Sequence, residues 1–322
     1  VLVDHHAHWL PESALERLGR RTEPPRAWRD GGRWIFQAAL RPRPLDRMAH
    51  DLDHRTPQLR ALGIDAQVLS WSPLWNLEAL PVDEALALAR DFNDATAAAI
   101  AATGTYRGLA VAPLDDGAAA VTELRRARGL GLEGFVLPAW TLCDAWQADA
   151  VASLFDVARD LGLRVFVHPG RLPATSGVDD ALWRPRLQRH LGLEPQHEIG
   201  LAMLTLCQEG WLAAFPGVAV QFANGGGSLV PALERLQRMR EDDAQASSRR
   251  SQLLARVTVD SASLGPVGIC AARALLGTNT VVLGTDAPIF DVSRAVDDWR
   301  LADLDAGVRA TGCDRRRGGA AR

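Results

Sequence analysis

The sequence predicts an α/β protein folded as a (β/α)8 barrel. Three observations point there. Short apolar, β-branched runs recur eight times along the 322 residues. Most are followed by a turn and then by apolar residues at helical spacing. Eight strands alternating with helices at this length favour a closed barrel with a parallel sheet. An open doubly wound sheet is the alternative.

Strand one is expected over residues 1–6. Residues 9–60 are too long for one connecting loop. They hold the Trp/Arg/Pro-rich piece "PPRAWRDGGRWIFQAALRPRP" and then a helix around 45–62. Strand two covers 66–70, followed by the Ala-rich helix "VDEALALARDFNDATAAAIAAT". Strands three and four cover 107–113 and 133–138. The helices "DGAAAVTELRRARGLG" and "DAVASLFDVARDLG" follow them and end in glycine, a common helix stop. Strand five covers 163–168, and a second long insert follows at 171–200. Strands six, seven and eight cover 218–223, 256–260 and 280–285. "LVPALERLQRMRED" and "FDVSRAVDDWRLADL" supply further helices. Residues 1–310 are expected to form one domain, with both inserts over the barrel mouth, where active sites are built. Residues 311–322 form a polar tail that is expected to be disordered.

Composition narrows the function. A hydrophobic share of 47% is enough for a large core. The formal net charge of −3 gives no reason to expect nucleic acid or an anionic membrane as partner. All 36 basic residues are arginine. That excludes a lysine Schiff base, a lysine general base and a carbamylated lysine bridging two metals. Cys143, Cys207, Cys270 and Cys313 are scattered, without a CxxC pair. A reducing cytoplasm is therefore expected. No run is long and apolar enough to span a membrane. "VLVDHHAH" lacks the basic region of a secretory leader, and only a residue or so is expected to be missing before it.

Four residues carry the chemistry. His6 and His8 flank Ala7 at the end of strand one, where positions i and i+2 face the same side and His5 the other. His168 emerges where strand five stops in "LRVFVHPG". Asp286 follows the apolar strand eight in "TVVLGTDAP". Each has a plainer reading: two surface histidines, a hydrogen-bonded structural histidine, and a helix N-cap. Asp291 is better placed for that cap, which frees Asp286 for chemistry. All four end strands of one barrel. Nitrogen and oxygen donors of this kind suit Zn²⁺ first, with Mn²⁺ or Fe²⁺ as alternatives. Without lysine, one metal ion is expected.

The motifs "VDHHAHWLP", "FVHPG", "FANGGGSLVPALERL" and "LGTDAP", in this order, resemble the amidohydrolase superfamily. The branch they are most similar to is typified by 2-amino-3-carboxymuconate-6-semialdehyde decarboxylase and γ-resorcylate decarboxylase. The resemblance covers roughly residues 1–305. It implies a distorted (β/α)8 barrel, one metal held by His6, His8, His168 and Asp286, non-oxidative decarboxylation, and a homodimer. Other members are hydrolases or hydratases. The chain departs from the family after strand six. There the family reads His-Gly-Gly, with the histidine as general acid/base, and this chain has Asn224. Asparagine exchanges no proton near neutral pH. Asp286 is the first candidate to carry proton transfer instead, and His5, His190, His197 and Asp260 are alternatives.

Ten tryptophans stand against one tyrosine. Trp9, Trp71, Trp75, Trp140 and Trp183 fall at strand ends or in the inserts, where aromatic walls would suit a flat, conjugated substrate. The resemblance singles out Trp183, because a substrate-contacting tryptophan follows the strand-five histidine at similar distance in the decarboxylases. Arg171, three residues past His168, could hold a carboxylate, as could Arg41, Arg43 or Arg47. "NGGGSLV" lacks the spacing of a nucleotide-binding glycine loop. The expected function is decarboxylation of a small aromatic or conjugated acid. The alternatives are hydrolysis of a lactone or amide, and a barrel with altered or lost catalysis.

Overall fold

The computed structural model describes residues 1–38, 41–170, 188–239 and 254–303. Eight parallel strands lie side by side in chain order. They are β1 (Val3–His8), β2 (Ala66–Ser70), β3 (Tyr106–Ala110), β4 (Gly134–Pro138), β5 (Arg164–His168), β6 (Val220–Phe222), β7 (Val257–Asp260) and β8 (Val281–Val282). β8 is shorter than the sequence suggests. The chain beyond it nevertheless closes the ring. His5 N–H donates to the Leu283 carbonyl at 2.8 Å, Asp286 N–H to His6 at 2.8 Å, and His8 N–H to Ala287 at 2.6 Å. The doubly wound alternative is thereby ruled out.

Alternation within β5 shows how the barrel is filled. Phe166 and His168 face the interior, where both rings meet His6. Val165 and Val167 therefore take the opposite face, yet both are fully buried. Parallel strands covered on both faces need such continuous apolar runs. The outer cover comes from helices including α4 (Val82–Ala102) and α5 (Gly117–Gly129), with α7 (Ala152–Leu161), which follows the short α6 (Ala145–Ala150), beside α5. Leu88, Ala89 and Phe92 of α4 are fully buried. Burial of Leu88 and of Phe92 contributes roughly 2 kcal/mol each. The side chain of Asp116 caps α5, accepting from Ala118 N and Ala119 N. Gly162 ends α7 in the left-handed conformation.

The insert after β1 is more ordered than its composition suggests. After α1 (Glu12–Leu18), strands Arg26–Asp30 and Arg33–Gln37 form an antiparallel hairpin, joined by a third strand, Arg43–Pro44. Gly31 and Gly32 make its two-residue turn with φ of 54° and 80°. The helix expected around 45–62 is two helices, α2 (Arg47–His50) and α3 (Leu52–Ala61). Asp51 breaks it by capping α3 through His54 N–H, at 2.9 Å. Ala27, Trp34 and Phe36 are buried, so one face of the hairpin joins the main core. α3 sends the fully buried Arg55 inward. Its guanidinium donates to the His8 carbonyl at 2.7 Å, to Gln67 Oε1 at 3.1 Å and to the Met48 carbonyl at 2.6 Å.

Among the described residues, no helix is long and apolar enough to cross a membrane. Residues 171–187, with Arg171 and Trp183, lie outside the described residues. Beyond them run α8 (Glu194–Met203), α9 (Leu229–Arg238) and α10 (Pro266–Leu276).

Candidate metal centre

The pairing of β1 with β2 shifts register between Asp4 and Ala7. Such a bulge re-aims side chains. It leaves His6 and His8 together inside the barrel, while His5 Nδ1 lies 3.4 Å from Arg164, away from them. His168 reaches them from the end of β5, with its Nε2 3.0 Å from that of His8. The Nε2 atoms of His6 and His8 are 3.3 Å apart. Asp286 completes the cluster. Its Oδ1 lies 3.1 Å from His8 Nε2 and 3.5 Å from His6 Nε2. One donor atom from each of the four residues lies within 4.8 Å of every other, and all four side chains are buried.

The outer ring nitrogens fix the tautomers. His6 Nδ1 donates to Asp260 Oδ2 at 3.1 Å. His168 Nδ1 donates to the Pro169 carbonyl at 2.7 Å. Ser70 Oγ gives its own proton to the Ala7 carbonyl, so at 3.2 Å it accepts from His8 Nδ1. Each Nδ1 therefore carries hydrogen, and three Nε2 lone pairs converge on one point. Asp286 Oδ1 faces the same point, buried and without a hydrogen-bond partner. Once His6 gives up its second proton, the four are acceptors with no donor between them, the electrostatic complement of a cation. The donor set fits a divalent ion, which His6, His8, His168 and Asp286 would hold.

Charge agrees with geometry. Burial, reinforced by His6, holds His8 well below the ordinary histidine range. Burial does the same to His168, with His8 and His6 adding to it. Burial also presses on His6, but Asp260 and Asp286 outweigh it and raise the group to about 9. Burial raises Asp286, against the pull of His6 and His168. A cation at this point competes with the His6 proton, so its binding strengthens as pH rises.

The surroundings are aromatic. Phe166 meets His6 edge-on at 4.9 Å, and Trp75 meets His8 at 5.8 Å. Phe36 of the insert hairpin lies 6.2 Å from Trp75. Trp71 sits one ring further out, buried against Trp75 at 5.1 Å and Phe92 at 5.7 Å. Trp75, rather than Trp71, is thus in ring contact with the cluster. Asn224 opens the turn after β6 at φ 53°, followed by Gly225, Gly226 and Gly227, all at positive φ. A side chain on Gly227 would lie 2.3 Å from the Gln196 carbonyl, so the turn packs hard against α8. Asn224 is buried and its Oδ1 has no partner. Its N–H donates to Asp260 at 3.0 Å. Asp291 accepts from Arg294 N–H at 3.0 Å, the capping role expected of it. His197 is exposed and pairs with Ser228. Ser70 is the neighbour that sequence reasoning left without a role. Its signal was position, because it ends β2.

A sequence profile described as amidohydrolase matches residues 3–311. The chain belongs to the amidohydrolase family. This amidohydrolase is 28% identical over 254 residues to a 2-amino-3-carboxymuconate-6-semialdehyde decarboxylase of Dictyostelium discoideum, covering 76% of this chain and 69% of that one. Its fold matches 5-carboxyvanillate decarboxylase from Sphingomonas paucimobilis with a TM-score of 0.73 at 18% identity, over 94% and 92% of the two chains. The 5-carboxyvanillate decarboxylase of Novosphingobium aromaticivorans matches with a TM-score of 0.69 at 18% identity, over 94% and 89%. That structure was solved with manganese and 4-hydroxy-3-methoxy-5-nitrobenzoic acid. At these identities the structural matches speak for the fold. The curated relative is of the branch that the motifs resemble.

Proposed function

We propose that this amidohydrolase is a metal-dependent decarboxylase of a small aromatic or conjugated carboxylic acid. The observation that carries the proposal is the convergence of four donor atoms from His6, His8, His168 and Asp286 within 4.8 Å. Zn²⁺ suits three imidazoles and a carboxylate. Mn²⁺ is the alternative, supported by the manganese of the related carboxyvanillate enzyme. Bound there, the ion supplies a Lewis acid that polarises the substrate's oxygens.

The remaining steps fall to side chains. The bond between the carboxyl group and its carbon breaks, CO₂ leaves, and the electron pair stays on carbon. Asp286 gives that carbon a proton and is reloaded from solvent. Asn224 offers a carboxamide to a substrate oxygen or hydroxyl group without exchanging protons. That asymmetry favours decarboxylation, which needs one protonation, over hydrolysis, which needs water deprotonated. Trp75 and Phe36, with Trp71 behind them, line the aromatic side. Arg171 and Trp183 complete the substrate contacts in this reading. Homodimeric assembly rests on the family resemblance, and a cytoplasmic location on scattered cysteines without a CxxC pair.

The test is CO₂ release from a panel including 5-carboxyvanillate and γ-resorcylate, with Zn²⁺ or Mn²⁺ and with chelator. Release that needs the metal is expected. Ring opening or amide cleavage without CO₂ would assign a hydrolase. Metal analysis showing no bound ion would end both enzyme readings.

A further inference from the structure

We propose that Asp260, at the end of β7, is the positioning residue of this centre. It holds His6 in the coordinating tautomer and ties the turn bearing Asn224 to the same carboxylate. The inference rests on the metal-centre reading above.

Asp260 is fully buried. Its Oδ2 accepts from His6 Nδ1 at 3.1 Å and Gln221 Nε2 at 3.0 Å. Its Oδ1 accepts from Asn224 N–H at 3.0 Å and Ala262 N–H at 3.1 Å. Four donors saturate the carboxylate, so it acts through His6 rather than by ligating an ion itself. The orientation of Gln221 is fixed from its other end, where Oε1 accepts from Arg164 at 3.2 Å. Arg164 is in turn held by Glu133 at 2.7 Å. The space for the pair is made by Gly284. A Cβ there would lie 2.8 Å from Asp260 Cβ and 2.9 Å from His6 Cβ.

Only a carboxylate satisfies this arrangement. Asp260→Asn keeps the shape but offers one acceptor oxygen to two pairs of donors. With its NH₂ group toward Asn224 and Ala262, donors face donors there. With the NH₂ group toward His6, the ring must move its proton from Nδ1 to Nε2, the nitrogen needed by the ion. Either outcome weakens the centre without removing a ligand. Losses of a partner one step behind the ligands are typically about 10–100-fold in metal affinity.

The experiment measures the Zn²⁺ dissociation constant by chelator competition for the unaltered protein, Asp260→Asn and His8→Ala, with circular dichroism as the folding control. Zn²⁺ is chosen because it is diamagnetic. A second measurement, ¹⁵N NMR of the imidazoles in the unaltered Zn²⁺-loaded protein, reads the His6 tautomer directly and decides the matter if Asp260→Asn does not fold. The expected results are affinity weaker by about 10–100-fold in Asp260→Asn, binding abolished in His8→Ala, and His6 coordinated through Nε2 with hydrogen on Nδ1. Zn²⁺ binding by Asp260→Asn as tight as in the unaltered protein, or a His6 without hydrogen on Nδ1, overturns the role of Asp260 alone. No binding by the unaltered protein, or undiminished binding by His8→Ala, overturns the metal reading itself and the inference with it.

Discussion

Asn224 and Asp286 share a backbone feature. Both are non-glycine residues at positive φ, 53° and 56°, and both leave a buried side-chain Oδ1 without a partner. Asn and Asp are the side chains that tolerate this conformation best. Asn224→His restores a proton-exchanging group to the turn. It is expected to raise the rate of CO₂ release at saturating metal, toward the 10²–10⁴-fold typical of a general acid/base. A fall in kcat would instead give the carboxamide a role of its own. The four cluster residues were legible in the sequence because each ends an apolar strand, a pattern that survives without coordinates. The role of Asp260 was not legible. "VTVD" ends a strand just as "VVLGTD" follows one. What separates the two aspartates is which nitrogen of His6 each faces, and only the folded geometry holds that.

Between elements, Arg55 has the largest consequence. Burial lowers it to about 10, so it is still charged at neutral pH. Its nearest carboxylate in the network, Asp4, is reached through Gln67. Asp4 in turn accepts from Thr285, next to Asp286, at 2.6 Å. Arg55→Met strips donors from the His8 and Met48 carbonyls and from Gln67. It is expected to cost roughly 3 kcal/mol or more, read as a lower urea midpoint. The segment after β2 carries an opposite liability. Burial pushes Glu78 up to about 7 from 4.5, with Asp115 adding to it. A carboxyl raised in the fold contributes fully below its unfolded value and loses its contribution as pH climbs to the folded one. Glu78→Gln should match the parent near pH 4.5 and exceed it by roughly 3 kcal/mol above pH 7, in paired urea titrations. The hairpin of the insert was the main element missed. Its cue was the Gly-Gly pair between "RAWRD" and "RWIFQ". Arginines at outward positions and the flanking prolines masked the alternation.

At the scale of the whole molecule, the ring closes where the cluster sits. His6 and His8 stand on β1, and Asp286 follows β8, across the joint made by backbone hydrogen bonds. An ion bound there favours only the folded state. At a hundred times its dissociation constant, Zn²⁺ should add about 2.7 kcal/mol. At this chain length that is a rise of roughly 4 °C in Tm, reversed by chelator in a calorimetric scan. The closed ring itself was legible from eight strands alternating with helices. The point of closure was less so, because β8 pairs over only two residues, Val281 and Val282, and the joint is carried by the backbone beyond them. The joint also sets an order of events on the ribosome. The strand bearing two of the histidines emerges before the other seven, yet its last neighbour and the carboxylate arrive only with residues 281–287. Until then the nascent chain offers three imidazoles without their carboxylate, on a sheet whose edge is open. The full donor set is thus deferred until those residues are made, and a chain stalled before them is left with an edge that invites aggregation.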